Sequence, residues 1–260
     1  MSSARENEPP LLVTELRALR LPSFVEHWDR AADEAKRRGS SYAEYLAELV
    51  HHEINDRRDR RVRRRIKDAR FPCLKTLDTF EFECQPSVDR DTVLGLARGG
   101  FIEEHANVIL MGEIGTGKTH LATAIGLACC EREYRVRFVT AADLTTLLIE
   151  SKSVDRLSRK LDQMARYDLV ILDELGYVPF DRIGADLLFT FITKVYERRS
   201  LIVTTNLPFA RWSEVFIDAT AAAAVIDRIV HHSTILKTEG KSFRLQAAER
   251  AHRTGDGDGR

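Results

Sequence analysis

Eight consecutive residues, Gly112-Glu113-Ile114-Gly115-Thr116-Gly117-Lys118-Thr119, combine the residue types and the spacing needed to hold a triphosphate. Gly115 and Gly117 free the backbone to curl until successive N–H groups face one anion, and a helix opening near Lys118 adds its positive end. The Lys118 ammonium is placed to reach the β- and γ-phosphates, and the Thr119 hydroxyl suits Mg²⁺. The flanks agree. Val108-Ile109-Leu110-Met111 reads as a buried strand, and His120-Leu121-Ala122 opens an alanine-rich helical pattern. That strand, loop and helix context separates a P-loop from a chance glycine run. The candidate nucleotide contacts are therefore Gly112, Gly115, Thr116, Gly117, Lys118, Thr119 and His120.

A second apolar run, Tyr167 to Leu172, ends in Asp173 and Glu174. A carboxylate emerging at a strand end beside a P-loop binds Mg²⁺ directly or through water, which is the expectation for Asp173. Glu174 is then placed to take a proton from an attacking water. A third run, Leu201 to Thr205, ends at Asn206, whose amide would orient water or touch the γ-phosphate; a turn asparagine before Pro208 is the alternative. Asp173-Glu174-Leu175-Gly176 also fits the short D-x-x-G pattern of GTPases. The chain has no N-K-x-D stretch to read guanine, which favours ATP. Further on, Arg228 stands at the polar end of an alanine-rich helix, where it is either a surface ion pair or an arginine lent to a neighbouring subunit's phosphates. His231-His232 has no third ligand at metal spacing. Arg244 falls in a short alternating stretch, Ser242 to Leu245, facing phosphate or solvent.

These residues need a scaffold, and 260 residues suffice for an α/β domain with a smaller attachment. Strand-like runs alternate with helical patterns at 141–149, 154–165, 186–196 and 219–230. This predicts a mostly parallel sheet with helices on both faces and ligands at the carboxyl ends of the strands. Before it, residues 11–70 read as a small helical domain, broken at Pro22 and at Gly39-Ser40, with a capping box from Ser41 to Glu44. Residues 71–90 read as a linker with Phe80 and Phe82 docked on the domain that follows, and 91–249 as the nucleotide domain. Residues 1–10 and 250–260 read as disordered.

The last N-terminal helix carries Arg57-Arg58-Asp59-Arg60-Arg61-Val62-Arg63-Arg64-Arg65-Ile66-Lys67. Such a block grips phosphates through counterion release, or is a solvated face paired with Glu53, Asp56 and Asp68. Lysine plus arginine and aspartate plus glutamate each number 40, so attraction to a polyanion must come from local patches such as this one. There is no apolar run of membrane-spanning length and no leader pattern. The four cysteines form no C-x-x-C pair; Cys129 and Cys130 are expected buried and reduced, in a cytoplasmic protein.

Taken together, the chain resembles the IstB-like ATP-binding accessory proteins of insertion-sequence transposons, relatives of the DnaC-type helicase loaders within the AAA+ ATPases. The resemblance runs from about Leu11 to Ala247. It rests on Ala69-Arg70-Phe71-Pro72, Gly115 to Ala122, Leu172 to Tyr177, Thr204-Thr205-Asn206, Asp227 to His232 and Gly240 to Leu245. Two departures stand out, Val195-Tyr196-Glu197 in place of Arg-Tyr-Glu, and Thr205 in place of serine. The resemblance implies an AAA+ P-loop fold with a helical N-terminal domain, and ATP shared between subunits of a homo-oligomer. Asn206 becomes a sensor, Arg228 a finger acting in trans and Arg244 a second sensor. It implies assembly on duplex DNA with ATP and presentation of that DNA to a partner transposase, with hydrolysis resetting the assembly. The N-terminal block is then a DNA-binding arm, with Arg57, Arg61, Arg64 and Arg65 as candidate contacts. Lys152, Arg156, Arg159 and Lys160 form a second candidate element. Two rivals are a helicase loader built on the same ATPase and a P-loop kinase of a small molecule.

Overall fold

Proline stands at the start of each of the first two helices. The computed structural model describes residues 10–151, 153–177, 180–216, 218–240 and 242–243; the expected disordered termini apart from Pro10, which is helical, together with Lys152 and Arg244, lie outside these described residues. The first helices are α1 (Pro10–Ala18), α2 (Pro22–Arg38) and α3 (Tyr42–Ala69). Pro22 occupies the first turn of α2, where its missing N–H would have had no partner. Gly39 closes α2 in the left-handed conformation, and the Ser40 N–H donates to the Ala35 carbonyl at 2.9 Å. The expected capping box is present: Ser41 N–H donates to Glu44 Oε2 at 2.7 Å, and Glu44 N–H to Ser41 Oγ at 3.3 Å.

The chain divides into two compact units, Met1–Arg64 and Arg65–Arg260, so α3 contributes to both. In the first, one buried carboxylate ties the helices together. Glu53, 4% exposed, accepts from Ser23 N–H at 2.9 Å and from Arg57 Nε at 2.6 Å. Arg57 Nη2 then donates to the Arg20 carbonyl at 2.6 Å. Part of the basic block is therefore internal scaffolding.

The second unit continues through α4 (Arg90–Ala97), α5 (Gly100–Glu103), β1 (Asn107–Gly112), α6 (Lys118–Glu131), β2 (Val136–Thr140), α7 (Ala141–Ile149) and α8 (Val154–Met164). It ends with β3 (Leu169–Leu175), α9 (Arg182–Val195), β4 (Ser200–Thr205), α10 (Ser213–Phe216), α11 (Ala219–Val230) and β5 (Ser233–Thr238). The five strands form one sheet in the order β2-β3-β4-β1-β5, every pairing parallel. Along each strand the side chains alternate between two apolar layers. Ile109, Val170, Leu172 and Val203 join α7, α9 and α11 on one face. Val108, Leu110, Ile171 and Ile202 join α4 and α6 on the other. Phe80 is buried in that second layer, with Phe71 and Phe82 packed against it, so the segment at 71–90 is fastened to the sheet.

Strand β5 has no counterpart among the sequence expectations. Its sequence, Ser-Thr-Ile-Leu-Lys-Thr, lies at the sheet edge and buries only Leu236 and Thr238, too little apolar content to read as a strand. Helix α9 starts four residues earlier than expected because Asp181 caps it, accepting from Gly184 N–H at 2.7 Å. Cys129 and Cys130 are buried free thiols, each pushed up to about 12 chiefly by burial. Among the described residues no helix is long and apolar enough to cross a membrane.

At the amino edge of the sheet, Asn107 is the junction. Its Oδ1 accepts from Leu201 N–H at 2.9 Å and its Nδ2 donates to the Ile229 carbonyl at 3.0 Å, joining β1 to β4 and to the end of α11. Asn107→Ala leaves both backbone groups without these partners, so it should lower the unfolding free energy by about 2–3 kcal/mol. Urea denaturation reads this out, and a change below about 0.5 kcal/mol would show that the junction contributes no more than an ordinary surface contact.

Candidate nucleotide site

β1 delivers the chain to the glycine loop at Gly112, and α6 begins at Lys118, as the motif requires. Gly115 and Gly117 have φ of 83° and 93°, which side chains disfavour; a Cβ on Gly117 would also lie 2.8 Å from the Phe80 ring. The Lys118 ammonium donates to the carbonyls of Gly112 at 2.8 Å and Glu113 at 2.6 Å, which keeps it at the mouth of the loop. Thr116 differs from its neighbours. It is fully buried, and its hydroxyl donates to the Glu113 carbonyl at 2.7 Å and pairs with Thr238 Oγ1 at 2.6 Å. Its side chain therefore pins the loop to β5, and what it offers an anion is its backbone.

The two strand-end acids separate through a bulge. β3 pairs with β4 as Leu172↔Val203 and then Leu175↔Thr205, so β3 carries one residue more than β4 between those points. Asp173 turns inward, 4% exposed, with both carboxylate oxygens 3.1 Å from the Thr119 hydroxyl. Glu174 takes the left-handed conformation, φ 59°, and is exposed. Thr204 fixes both: its hydroxyl accepts from Glu174 N–H at 2.9 Å and donates to Asp173 Oδ1. Burial pushes the Asp173 pKa above the ordinary carboxylate range, only partly offset by the Thr204 and Thr119 hydroxyls and the Lys118 charge. A buried, under-compensated carboxylate beside a threonine hydroxyl is an oxygen donor pair that fits a hard divalent cation sharing its remaining ligands with phosphate and water.

Glu174 and Asn206 line one small cleft with Lys118, Thr119 and Thr204, so the three strand-end residues do converge on the loop. A larger cavity of about 310 Å³ shares Gly115, Lys118 and Thr119 with that cleft and is lined also by Thr79, Phe80, Gly117, His120 and Phe243. His120 Nε2 lies 3.0 Å from the Thr76 carbonyl, its ring edge-on to Phe80, and burial holds its pKa below the usual imidazole value. No local motif marks Thr204 as the holder of both acids. Its signal is its place in β4, one strand over from Asp173 and two residues before Asn206.

Arg228 is not part of this cluster. It lies in the last turn of α11, and the Asn107 junction fixes that helix end at the amino edge of β1. The loop leaves from the carboxyl edge of β1, about 17 Å away along the strand. The Arg228 guanidinium sits over the Phe189 and Tyr196 rings at 5.3 and 6.0 Å, and Nη1 donates to the Ala224 carbonyl at 2.8 Å. Of the candidate nucleic-acid contacts, Arg57, Arg61 and Arg64 belong to the first unit, Arg57 engaged with Glu53. Arg65, Arg156, Arg159 and Lys160 belong to the second; Arg156 and Arg159 are exposed on α8.

With this geometry in hand, the family model described as IstB-like ATP binding protein matches residues 14–251. The chain belongs to that family. It is 39% identical over 236 residues to the IS21 insertion-sequence ATP-binding protein of Pseudomonas aeruginosa, covering 91% of this chain and 89% of that one. The IS232 insertion-sequence ATP-binding protein of Bacillus thuringiensis subsp. berliner is 36% identical over 241 residues, covering 93% and 96%. Among solved structures, the crystal structure of DnaI aligns with a TM-score of 0.52 at 21% identity, covering 65% of this chain and 89% of that one. The fold is the AAA+ P-loop fold, as the resemblance implied.

The raised pKa of Asp173 carries a sign. A carboxyl whose folded pKa exceeds its unfolded value favours the fold only while protonated, and that stability is lost as pH rises through the folded pKa. In this IstB-family chain, Asp173→Asn should therefore raise Tm at pH 7.5 in nucleotide-free buffer while abolishing Mg²⁺-dependent ATP turnover. A lower Tm would mean that the carboxylate stabilises the sheet end, contrary to its buried and under-compensated state.

Proposed function

We propose that this chain is an ATP-dependent, DNA-binding accessory protein of insertion-sequence transposition. Its copies assemble on target DNA with ATP bound and present that DNA to a partner transposase, and hydrolysis resets the assembly. Family membership supports the ATP and the insertion-sequence association. The backbone of the glycine loop and Lys118 hold the triphosphate, and the 310 Å³ cavity takes the base. Thr119 and Asp173 would hold Mg²⁺, which would supply charge neutralisation to the triphosphate. Glu174 accepts the proton of the water that attacks the γ-phosphorus, Asn206 orients that water, and ADP leaves with the bridging oxygen. Arg228 of a neighbouring copy, and Arg244 by the resemblance, complete the charge stabilisation.

The observation that carries the shared-site reading is the position of Arg228. A residue at the amino edge of β1 is on the wrong side of the sheet for its own P-loop, yet its guanidinium is held on two aromatic rings rather than left to solvent. A second copy is what could bring the two together. The domain reading follows: residues 11–70 as an arm for DNA and assembly, 71–90 as a linker, 91–249 as the ATPase. The helicase-loader alternative shares this ATPase and differs in the partner that co-purifies, a helicase instead of a transposase. A small-molecule kinase would need neither DNA nor a second copy.

Complementation between variants tests the shared site. Arg228→Ala should retain ATP binding and lose roughly 10³-fold in DNA-stimulated turnover. Lys118→Ala should lose ATP binding. Mixing the two should restore activity, because a wild-type P-loop can then meet a wild-type arginine; an inactive mixture places the arginine in its own protomer's chemistry or in none. Glu174→Gln should bind ATP normally, turn it over at least 10²-fold more slowly and give longer-lived DNA complexes. Turnover at the wild-type rate removes Glu174 from the reaction.

A further inference from the structure

A cavity of about 280 Å³ at the free edge of the sheet brings together two basic segments that are far apart in sequence. Lys67 and Arg70 come from the last turn of α3 and the residue just beyond it, and Lys160 comes from α8. Between them lies Arg137 of the edge strand β2, part-buried, and Tyr167 closes the lining. Asp68 is the one acidic residue of the lining against four basic ones. All of these residues lie in the second compact unit.

Arg137 is what makes the cavity more than a basic surface. Its Nη1 donates to the Asp68 backbone carbonyl at 3.4 Å, a long bond to a neutral acceptor. Burial, together with the neighbouring Arg70 charge, holds its pKa below the usual guanidinium value, with the Tyr167 phenol acting the other way. A part-buried cation in that position gains from any anion that enters. Arg70 is carried into place by a left-handed turn, φ 57°, that ends α3, and Lys160 Nζ donates to Gln163 Oε1 at 3.3 Å along α8. The other part-buried arginine of this edge, Arg135, is matched by the Asp168 carboxylate at 2.6 Å, so the contrast is local.

We propose that this cavity seats a backbone phosphate of the bound duplex, with Arg137 as the fork at its floor and Lys67, Arg70 and Lys160 around it. The seat rests on the DNA-binding reading above and adds to it a specific place on the ATPase unit. A guanidinium fork flanked by ammonium groups matches the geometry and charge of a phosphodiester. An open cavity at a sheet edge admits a phosphate carried on a long polyanion without a base being read. The contact therefore adds affinity on any sequence and takes its strength from released counterions.

The test uses the full-length chain, a duplex of mixed sequence and a saturating non-hydrolysed ATP analogue, with affinity measured across a salt series. Arg137→Gln and Lys160→Gln should each weaken binding and reduce the slope of log affinity against log salt by about 1. Arg211→Gln removes the same charge from a residue already paired with Glu214 at 2.8 Å and should leave the slope as it is. Lys160 lies at the rim, so its variant keeps the test valid should Arg137→Gln fold poorly. Wild-type slopes in the folded seat variants would overturn the seat and leave the DNA-binding reading standing. A slope reduced equally by Arg211→Gln would also overturn it, reducing the effect to net charge. Absence of duplex binding by the wild-type chain at low salt would remove both.

Discussion

The active end of the sheet depends on a buried carboxylate that no cation fully neutralises. Asp173 is held by two hydroxyls, Thr119 at the start of α6 and Thr204 on β4, so one side chain joins the P-loop helix to two neighbouring strands. Hydroxyl donors leave residual demand at the carboxylate, where a buried lysine or arginine would have satisfied it and closed the site. The same Thr204 oxygen receives the Glu174 amide, so the bulge that turns Glu174 outward is tied to the contact that keeps Asp173 inward. A left-handed glutamate costs about 1 kcal/mol or more of backbone strain, which persists because both neighbours are anchored. Displacing Thr204 would therefore disturb two acids with opposite exposures at once.

The parallel sheet then imposes a polarity. All five strands run the same way, so every strand end, and with it Asp173, Asn206 and the glycine loop, falls on one edge. Every helix that returns the chain ends on the opposite edge, and α11 with Arg228 is one of these. The Asn107 side chain locks that end against β1 and β4, which leaves little freedom for Arg228 to travel. A fold of this kind places a returning-helix arginine outside its own chemistry and offers it to whatever packs against the amino edge. The shared-site proposal follows from that polarity together with the aromatic seat under the guanidinium.

Legibility in the sequence tracked how local each feature is. The P-loop, the run ending in Asp173 and the run ending in Asn206 are contiguous, and buried strands feeding polar ends need no tertiary information to be seen. The capping box at Ser41 and Glu44 is equally local. What escaped depends on partners distant in the chain. β5 is a strand because β1 pairs with it, since its own side chains are mostly polar. The Glu174 bulge exists only in the register of β3 against β4. Thr116 reads as a loop contact until Thr238, brought alongside by β5, claims its hydroxyl. Pairing of the basic run with Glu53 is legible one helical turn apart, but that Glu53 is buried, with Ser23 from thirty residues earlier donating to it, is not.

Those arginines bear on how a chain with no net charge could hold a polyanion. With 40 basic and 40 acidic residues, attraction must come from where the two signs fail to match. Arg57 is matched by Glu53, Arg135 by Asp168, Arg211 by Glu214 and Lys194 by Asp162. Such pairs contribute modestly to stability and little to an outside anion, because each carboxylate already occupies its cation. A mere count of lysines and arginines therefore overstates the surface available to phosphate. Arg137 is the reverse case, a part-buried guanidinium that donates to a backbone carbonyl and has the Arg70 charge beside it. Desolvation that penalises a lone cation also strengthens its attraction for an incoming anion, since less water screens the pair. In the proposed DNA-bound assembly, basic groups that the fold leaves under-compensated, such as Arg137, would add to the N-terminal block in setting where a chain with no net charge meets a phosphate backbone.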